Sequence, residues 1–272
     1  MKPIDLKNYI LNLPIMTINE QLRSLFILLR KEVLRFFRIW SQTLIPSVLT
    51  TILYFLIFGT FIGERIGKMS GFDYMQFMAP GLVMLAVITN AYSNVVSSFF
   101  GVKFQRSIEE LLVSPMPTYL ILIGFVLGGV VRGIIVGFLV LLTSLIFTDI
   151  TVQNIPLTLL VVVMTAFLFS IAGFLNALFA DNFDDINIVP TFILTPLIYL
   201  GGVFYSVDLL SETWQIVSKA NPLLYMVNAF RYGMIGVSDI NVQFALMMIT
   251  FFILIFFTLA YYLLKKGYGI RT

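Results

Sequence analysis

The chain has 272 residues, of which 59% are hydrophobic and only 11% are charged. Soluble domains carry about 25% charged residues, so this composition indicates a membrane protein. The chain has no cysteine and no histidine, which excludes Cys/His metal sites and histidine-based catalysis. We therefore expect neither a catalytic constellation nor a metal site.

The N-terminal region predicts an amphipathic helix over residues 15–41. Thr17 and Glu20 form a T-x-x-E capping signature near its start. Apolar residues recur at helical spacing on one face, and cations occupy the other. These cations are Arg23, Arg30, Lys31, Arg35 and Arg38. Such a helix lies in the membrane interface with its cations toward anionic headgroups; a simple topology anchor has the same pattern.

Six charge-poor runs are long enough for membrane-spanning helices, which need about 20 apolar residues each. They cover residues 43–62, 80–102, 119–147, 156–180, 186–205 and 242–264. Continuous apolar runs argue against a β-barrel, whose strands alternate apolar and polar residues. We therefore predict an all-α polytopic membrane protein with six spans, forming one domain over residues 1–272.

Cations are concentrated on one side of the predicted spans. Seven precede span one, two lie between spans two and three, and three follow span six, against four on the opposite side. The positive-inside rule places the richer side, and both termini, in the cytoplasm. The first thirty residues show no cleavable signal peptide, which agrees with a cytoplasmic N-terminus. The acidic loop 181–185 weakens this orientation only slightly, because acids contribute little to the rule.

The stretch QRSIEELLVSPMP, residues 105–117, separates spans two and three. Ser107 and Glu110 match an S-x-x-E capping box, which predicts a short helix beginning at Ile108. Pro115 and Pro117 end that helix before span three. A rigid, capped cytoplasmic turn suits docking of a partner protein, and an ordinary capped loop has the same pattern.

Span three combines glycines four residues apart with one cation. The Gly-x-x-x-Gly spacing lets helices approach closely, either within the protomer or at a dimer contact. Arg132 near mid-membrane costs about 2.5–3.5 kcal/mol to insert, so it should face a polar cavity or a partner. That partner is either the acidic loop 181–185 or a substrate anion.

Residues 196–236 contain apolar patches that are too short to cross a membrane. Such patches predict re-entrant or interfacial helices, or else a folded external loop. Asn221 can cap a helix that has Pro222 at its first position. The aromatic residues Trp214, Tyr225 and Tyr232 suit the membrane–water interface.

Several function classes lack their sequence signatures. No G-x-x-x-x-G-K-[ST] motif occurs, so the chain carries no P-loop for ATP. A secondary transporter or channel would use intramembrane acids for ion coupling, and the interiors of the predicted spans have none. A membrane-embedded enzyme is disfavoured because there is no histidine and no deep acidic cluster.

Four stretches resemble the ABC-2 type family of exporter permeases, in particular its YadH-like branch. They are KFQRSIEELLVSPMP (103–117), GGVVRGIIVGFLV (128–140), FDDINIVPTFILTPLIYLGGVFYS (183–206) and NPLLYMVNAFRYGMIG (221–236). The resemblance covers nearly the whole chain beyond residue 20. Its most specific part is the G-G-x-F-Y…N-P-x-x-Y…R pattern, whereas six spans and Gly-x-x-x-Gly spacings are common.

The resemblance implies an inner-membrane permease that forms a homodimer and binds two copies of a separate cytoplasmic ABC ATPase, which holds ATP and Mg. Residues 15–41 would be its connecting helix, 105–117 its coupling helix and 206–236 its external re-entrant segment. The implied ATPase-coupling residues are Ser107, Ile108, Glu109, Glu110, Leu111, Leu112, Asp181, Asp184 and Asp185. The translocation-path candidates are Arg132, Asn90, Tyr92, Tyr199, Phe204 and Tyr205. The external-gate candidates are Gly201, Gly202, Asn221, Pro222, Tyr225 and Arg231.

The substrate class is an expectation from the same reading. We expect export of a lipid-like or amphiphilic molecule, because the cavity walls should be apolar apart from Arg132. The alternative is a lipid-linked saccharide, whose sugar rings could stack on Tyr199 and Tyr205, or a drug.

Overall fold

The computed structural model describes residues 16–269, and these residues are mostly helical. Lys2, Lys7 and Arg271, which contribute to the predicted cation asymmetry, lie outside the described residues, as does the first residue of the predicted segment 15–41. The remaining cations of the richer side include Lys103, at the end of the second predicted span, and Lys265, at the end of the last.

The N-terminal helix α1 spans Ile18–Arg38 and begins with the predicted capping box. The Thr17 hydroxyl accepts a hydrogen bond from the Glu20 backbone N–H, and the Glu20 carboxylate accepts one from the Thr17 backbone N–H at 2.7 Å. That backbone donor, followed by the Thr17 hydroxyl, lowers the pKa of the Glu20 carboxyl below its usual 4.5. The sequence signal at this helix start is confirmed.

The first membrane run consists of several short elements. Helices α2 (Trp40–Thr43) and α3 (Ile45–Tyr54) lead into a π-helical segment, Phe55–Ile62, and a final turn, α4 (Gly63–Ile66). A short hairpin of two-residue strands follows, with β1 (Lys68–Met69) antiparallel to β2 (Phe72–Asp73). This hairpin leads directly into the second predicted span.

Four long helices form the body of the bundle: α5 (Tyr74–Phe104), α7 (Thr118–Phe147), α8 (Ile155–Phe179) and α13 (Val242–Lys266). The short helix α6 (Ile108–Val113) joins α5 to α7. Together with the run Trp40–Gly59, five helices among the described residues are long and apolar enough to cross a membrane. Five of the six predicted spans therefore have a matching helix.

The fifth predicted span, residues 186–205, is observed as a short broken helix. It consists of α9 (Asp185–Val189), a π-helical turn (Pro190–Leu194) and α10 (Thr195–Tyr199), five residues each. At about 1.5 Å per residue these segments extend about 22 Å, less than a hydrocarbon core of about 30 Å. Two prolines explain the breaks, because proline lacks the backbone N–H that a continuous helix needs.

The segment after this broken helix folds as two further helices. A 3-10 turn at Val207–Leu209 precedes α11 (Glu212–Lys219), and α12 covers Pro222–Ile235. The Asn221 side chain accepts a hydrogen bond from the Leu223 backbone N–H, with Pro222 at the first helical position. The predicted cap is therefore confirmed.

The glycines of α7 pack inside the protomer. A Cβ atom on Gly129 would lie 2.5 Å from a Val95 methyl carbon of α5 and 2.4 Å from the Ser170 hydroxyl oxygen of α8. Close approach of α7 to α5 and α8 therefore needs glycine at this position. Of the two readings of the Gly-x-x-x-Gly spacing, the structure supports packing within the chain.

Candidate functional site

Helix α6 begins at Ile108 as predicted, but the predicted capping box does not form. Ser107 has helical backbone angles, φ −70° and ψ −9°, whereas a capping residue needs an extended conformation. Its hydroxyl instead donates a hydrogen bond to the Val102 carbonyl oxygen at 3.3 Å. The chain enters the helix through Arg106, which has a positive φ of 59°. The position of the helix start was predicted correctly, but the predicted capping hydrogen bonds are not formed.

The two faces of α6 have different environments. Ile108 is buried, and Leu111 and Leu112 are half-buried against the apolar core. Leu111 also lines a cavity of about 280 Å³ between α6 and α1. Glu109 and Glu110 are exposed. The helix therefore packs its leucine side against the apolar core beside α1 and presents two carboxylates outward.

The acidic loop lies at the same end of the bundle as α6. The Asp185 carboxylate accepts hydrogen bonds from the backbone N–H groups of Asp181 and Asn182, at 2.9 and 3.2 Å. The Asp181 and Asp184 side chains are exposed. Of the three predicted acids, Asp185 shapes the turn, and the other two are available at the surface.

Lys103 joins the ends of two long helices at this surface. Its Nζ donates hydrogen bonds to the carbonyl oxygens of Leu178 and Ala180, at 3.0 and 2.5 Å, at the end of α8. Beside it, Phe104 and Phe183 remain exposed with ring centroids 4.9 Å apart. The sequence interpretation missed this aromatic pair, because apolar residues at a span end are expected at any membrane boundary.

Arg35 corrects the predicted cationic face of α1. Arg23, Arg30, Lys31 and Arg38 are exposed as expected, but the Arg35 guanidinium turns inward. It donates hydrogen bonds of 2.9 Å to both the backbone carbonyl and the side-chain oxygen of Asn94, on α5. The Arg35 Nε also lies 3.3 Å from the buried Glu32 carboxylate.

Glu32 is fully buried on the inner face of α1, and the sequence interpretation did not identify it. Its Oε2 accepts a hydrogen bond from the Ser98 hydroxyl of α5 at 2.5 Å and lies 3.3 Å from the Arg35 Nε. Its Oε1 and the Asn94 side-chain nitrogen are buried and have no hydrogen-bond partner within residues 16–269. The four residues Glu32, Arg35, Asn94 and Ser98, here called the α1–α5 clamp, tie the N-terminal helix to the membrane bundle.

A sequence signal for Glu32 was available. Leu28, Glu32 and Phe36 are spaced four residues apart and are the buried positions of α1. Because this acid lies among cations, it resembled part of a solvated face. Glu32 lies outside the predicted spans, so the absence of acids from those spans did not exclude a buried carboxylate.

Within the described residues, Arg132 contacts Asn90 and not the acidic loop that the sequence suggested as one of its partners. Its guanidinium donates a hydrogen bond to the Asn90 side-chain oxygen at 3.0 Å, and the Asn90 side-chain nitrogen donates to the Ser47 hydroxyl at 3.0 Å. The acidic loop lies near Lys103, about 20 Å farther along α5. Arg132 is thus part of a polar chain that reaches α3.

A groove of about 280 Å³ beside this chain carries several hydroxyl groups. It lies between α3 and α5. The hydroxyl-bearing residues that line it are Ser47, Thr50, Thr51, Tyr54 and Thr89. The groove combines these donors with leucine and alanine side chains and therefore suits a molecule with both polar and apolar parts.

The other path candidates lie elsewhere. Tyr92 is two residues from Asn90, so it faces the far side of α5, about 200° around the helix axis. Phe204 packs against Tyr54 with ring centroids 5.3 Å apart, and the Tyr205 hydroxyl donates to the Tyr199 carbonyl oxygen at 2.9 Å. Tyr92 is therefore separated from the other candidates, whereas Phe204, beside Tyr54, adjoins the groove next to Asn90.

Tyr92 belongs to the lining of an apolar cavity of about 500 Å³. The cavity lies between α5, α8, the broken helix α9–α10, the start of α12 and α13. Its lining includes Leu168, Ala172, Leu194 and Phe252.

The external-gate candidates form internal joints. Arg231 is fully buried, donates a hydrogen bond to the Gly202 carbonyl oxygen and lies 4.0 Å above the Phe77 ring. Gly202 has a φ of +69°, a conformation that favours glycine. Arg231, one of the four cations counted on the side opposite the cytoplasm, is therefore buried inside the protomer and bonded to its backbone.

Two further joints hold the remaining gate candidates. The Asn221 side-chain nitrogen donates to the Leu197 carbonyl oxygen at 2.6 Å, next to Pro222, which lines the large cavity. The Tyr225 hydroxyl donates to the Lys219 carbonyl oxygen at 2.5 Å. Gly201 packs closely, since a Cβ atom there would lie 3.1 Å from the Leu197 carbonyl oxygen. These contacts fix α11 and α12 against the broken helix.

A metal site would need several acids close together. Across residues 16–269 no group of three Asp or Glu side chains could hold a metal ion.

Sequence comparison gives matches along most of the chain. Residues 23–235 match the family model described as ABC-2 type transporter. The chain is 54% identical over 242 residues to the inner membrane transport permease YadH of Escherichia coli (strain K12), covering 89% of this chain and 94% of that protein. It is 22% identical over 232 residues to nodulation protein J of Rhizobium leguminosarum bv. viciae, covering 84% of this chain and 90% of that protein. The corresponding protein of Sinorhizobium fredii is 24% identical over 203 residues, covering 72% and 77%.

Proposed function

Because this chain belongs to the ABC-2 type transporter family and is a multi-pass inner-membrane permease subunit, we propose that it exports a lipid-like or amphiphilic molecule. Membership of the family implies an ATP-binding partner subunit. In our proposal two copies of this chain assemble with two copies of that ATPase, which binds ATP and Mg and drives transport. The chain itself has no P-loop and contributes no ATP site.

The proposed topology has six spans with both termini in the cytoplasm. The broken helix α9–α10 serves as the fifth span, and the residues after it continue outward. Support comes from the Tyr74 hydroxyl, at the outer start of α5, which donates to the Phe204 carbonyl oxygen at 3.0 Å. Helices α11 and α12 then form a re-entrant hairpin, because Pro222 at its tip lines the same cavity as mid-membrane Tyr92.

The observation that carries the proposal is the outward-facing acidic side of α6, whose opposite side packs against the apolar core. Glu109 and Glu110 present carboxylates to the ATPase, while Ser107 and Ile108 anchor the helix in the protomer. Asp181 and Asp184 offer a second acidic contact on the same surface. This face is rigid because its apolar side is already packed.

Motion of the ATPase would reach the spans through α1. Leu111 of α6 and Leu28 of α1 line one cavity, so the two helices are neighbours. The α1–α5 clamp then connects α1 to the centre of the bundle through Ser98 and Asn94. A push on α6 therefore moves α1 and α5 together, and the two protomers separate on the outer side.

The apolar cavity supports a lipid-like cargo, and one observation favours a lipid-linked saccharide as the second candidate. The hydroxyl-lined groove between α3 and α5 offers Thr50 and Thr89, with the Tyr54 ring at one end. Such a lining would hydrogen-bond and stack on a sugar. Stimulation of the complex's ATPase activity by a glycolipid, but not by the same lipid without its sugar, would select this alternative.

A reconstituted complex tests the proposed function. An ATPase subunit should co-purify with this chain in equal amounts. Glu110→Lys should leave the purified chain folded and abolish stimulation of ATP hydrolysis, because it reverses the charge on the docking face. Glu212→Lys, a charge reversal at the start of the external helix α11, is the matched control and should have no effect. Unchanged stimulation in Glu110→Lys would refute the coupling role of α6.

A further inference from the structure

The cavity around Tyr92 has the size and position of a ligand site. Its volume of about 500 Å³ lies within the range of roughly 300–1,000 Å³ that is typical of small-molecule sites. Its walls come from membrane helices, and its rim residues Phe179 and Ile193 are exposed at the surface of the protomer. A molecule could therefore enter it from the bilayer without passing through water.

The lining selects a hydrocarbon. Leucine, phenylalanine, alanine and valine side chains from α8, the broken helix and α13 make up most of the wall. In a membrane such a wall has no hydrophobic preference over lipid tails, so a bound chain is held by van der Waals contact on several sides.

Two polar side chains, Tyr92 and Asn176, interrupt this apolar wall. The Asn176 side-chain nitrogen donates to the Ile186 carbonyl oxygen at 2.9 Å. Tyr92 is 2% exposed, and its hydroxyl lies near Asn176 but makes no hydrogen bond of acceptable geometry within residues 16–269. Gly173 allows α8 to approach α5 closely at this point, because a Cβ atom at Gly173 would lie 2.5 Å from the Tyr92 carbonyl oxygen. A buried hydroxyl without a partner is unfavourable, so an acceptor on a ligand would be recognised there.

We propose that this cavity binds a single-chain amphiphile whose hydrocarbon fills the apolar wall and whose one oxygen acceptor, an ester, amide or hydroxyl oxygen, accepts a hydrogen bond from Tyr92. The inference rests on the proposed function only in identifying this molecule as the cargo class. Binding itself requires neither ATP nor the partner subunit. A second copy of this chain seated over the rim is the competing occupant.

Photolabelling of the purified full chain in phospholipid nanodiscs tests the proposal. The two probes are a monoacylglycerol with a diazirine in its acyl chain and a plain hydrocarbon with the same diazirine. We expect the monoacylglycerol to label α8 and α13 residues of the cavity several-fold more than the hydrocarbon does. Ala172→Trp should abolish this labelling by filling the cavity, whereas Val163→Trp, on the exposed side of α8, should not change it.

Tyr92→Phe removes only the hydroxyl and is the second variant. It should lower monoacylglycerol labelling by about 2- to 10-fold, as expected for one lost hydrogen bond, and leave hydrocarbon labelling unchanged. Tyr262→Phe, an exposed tyrosine of α13, is its control. Equal labelling by both probes, or labelling unaffected by Tyr92→Phe, would overturn the proposal. Labelling only after the rim is freed by dissociating a dimer would show that a second copy covers the site.

Failure of this binding inference and failure of the proposed function can be distinguished. Loss of cavity labelling with an intact ATPase complex would overturn only this inference. Cavity labelling in a chain that captures no ATPase would overturn the proposed function and leave the binding site standing.

Discussion

Replacing Glu32 with glutamine should loosen α1 from the bundle. The change keeps the shape of the side chain and the hydrogen bond from Ser98, and it removes the charge that faces Arg35. At 3.3 Å and an effective dielectric constant of about 20, the attraction between the two charges is about 5 kcal/mol before desolvation. Removing one partner of a buried pair costs about 3–5 kcal/mol.

The expected free-energy cost of Glu32→Gln is smaller than about 3–5 kcal/mol. The Arg35 side chain is 31% exposed, so solvent compensates part of the lost attraction. Arg35 also keeps its two 2.9 Å hydrogen bonds to Asn94. We therefore expect Glu32→Gln to weaken the docking of α1 by about 1–3 kcal/mol, which corresponds to about 5- to 150-fold in the docking equilibrium.

The weakened docking of α1 can be measured with an introduced cysteine, because the chain has no native cysteines. In a Leu28→Cys background the new thiol is buried under α1, and its reaction rate with a maleimide reports how often α1 opens. Glu32→Gln should raise that rate by the factor above. Arg30→Gln, which removes an exposed cation of the same helix, should not change it. An unchanged rate in Glu32→Gln, or an equal increase in both variants, would refute the clamp.

Three further predictions concern packing and motion. Gly129→Ala should lower the free energy of unfolding by about 1–3 kcal/mol in a detergent titration, because its Cβ atom would overlap Ser170 and Val95. Gly101→Ala, which has open space around it, should leave the free energy of unfolding unchanged. Equal stability of both variants would contradict the packing argument. Leu28→Cys with Gly124→Cys should form a disulfide, since the Leu28 Cβ lies 3.4 Å from the ideal Cβ position at Gly124. This cross-link should leave the stimulation of ATP hydrolysis intact if α1 and α7 move together. Loss of stimulation would show that the two helices separate. Arg231→Met should cost about 1–3 kcal/mol, because the Gly202 carbonyl oxygen loses its buried donor; an unchanged thermal midpoint would contradict its role as a joint.

The elements that were predictable follow from local rules. Long apolar runs, the Thr17 capping box and the Asn221 cap each depend on residues that are close in sequence, so hydropathy and capping chemistry were enough. The fifth span was harder, because its apolar composition satisfied the length rule while Pro190 and Pro196 divided it.

The polar interior depended on contacts between distant residues. The partners of Arg132 and Glu32 lie 42 and 66 residues away, on α5, and no local pattern indicates such a pairing. The burial of Arg231 likewise required knowledge that Gly202 would lie beside it. Side chains that appeared to be path or gate residues from sequence therefore include several whose observed contacts hold the bundle together.

A cross-link from α6 to the ATPase tests the central claim most directly. A single cysteine introduced as Glu110→Cys, carrying a photoactivatable maleimide, should form a permease–ATPase adduct in the assembled complex. The same label on Glu212→Cys, on the proposed external side, should form none. An adduct from residue 212, or no adduct from residue 110 in an intact complex, would contradict the assignment of α6 as the coupling helix.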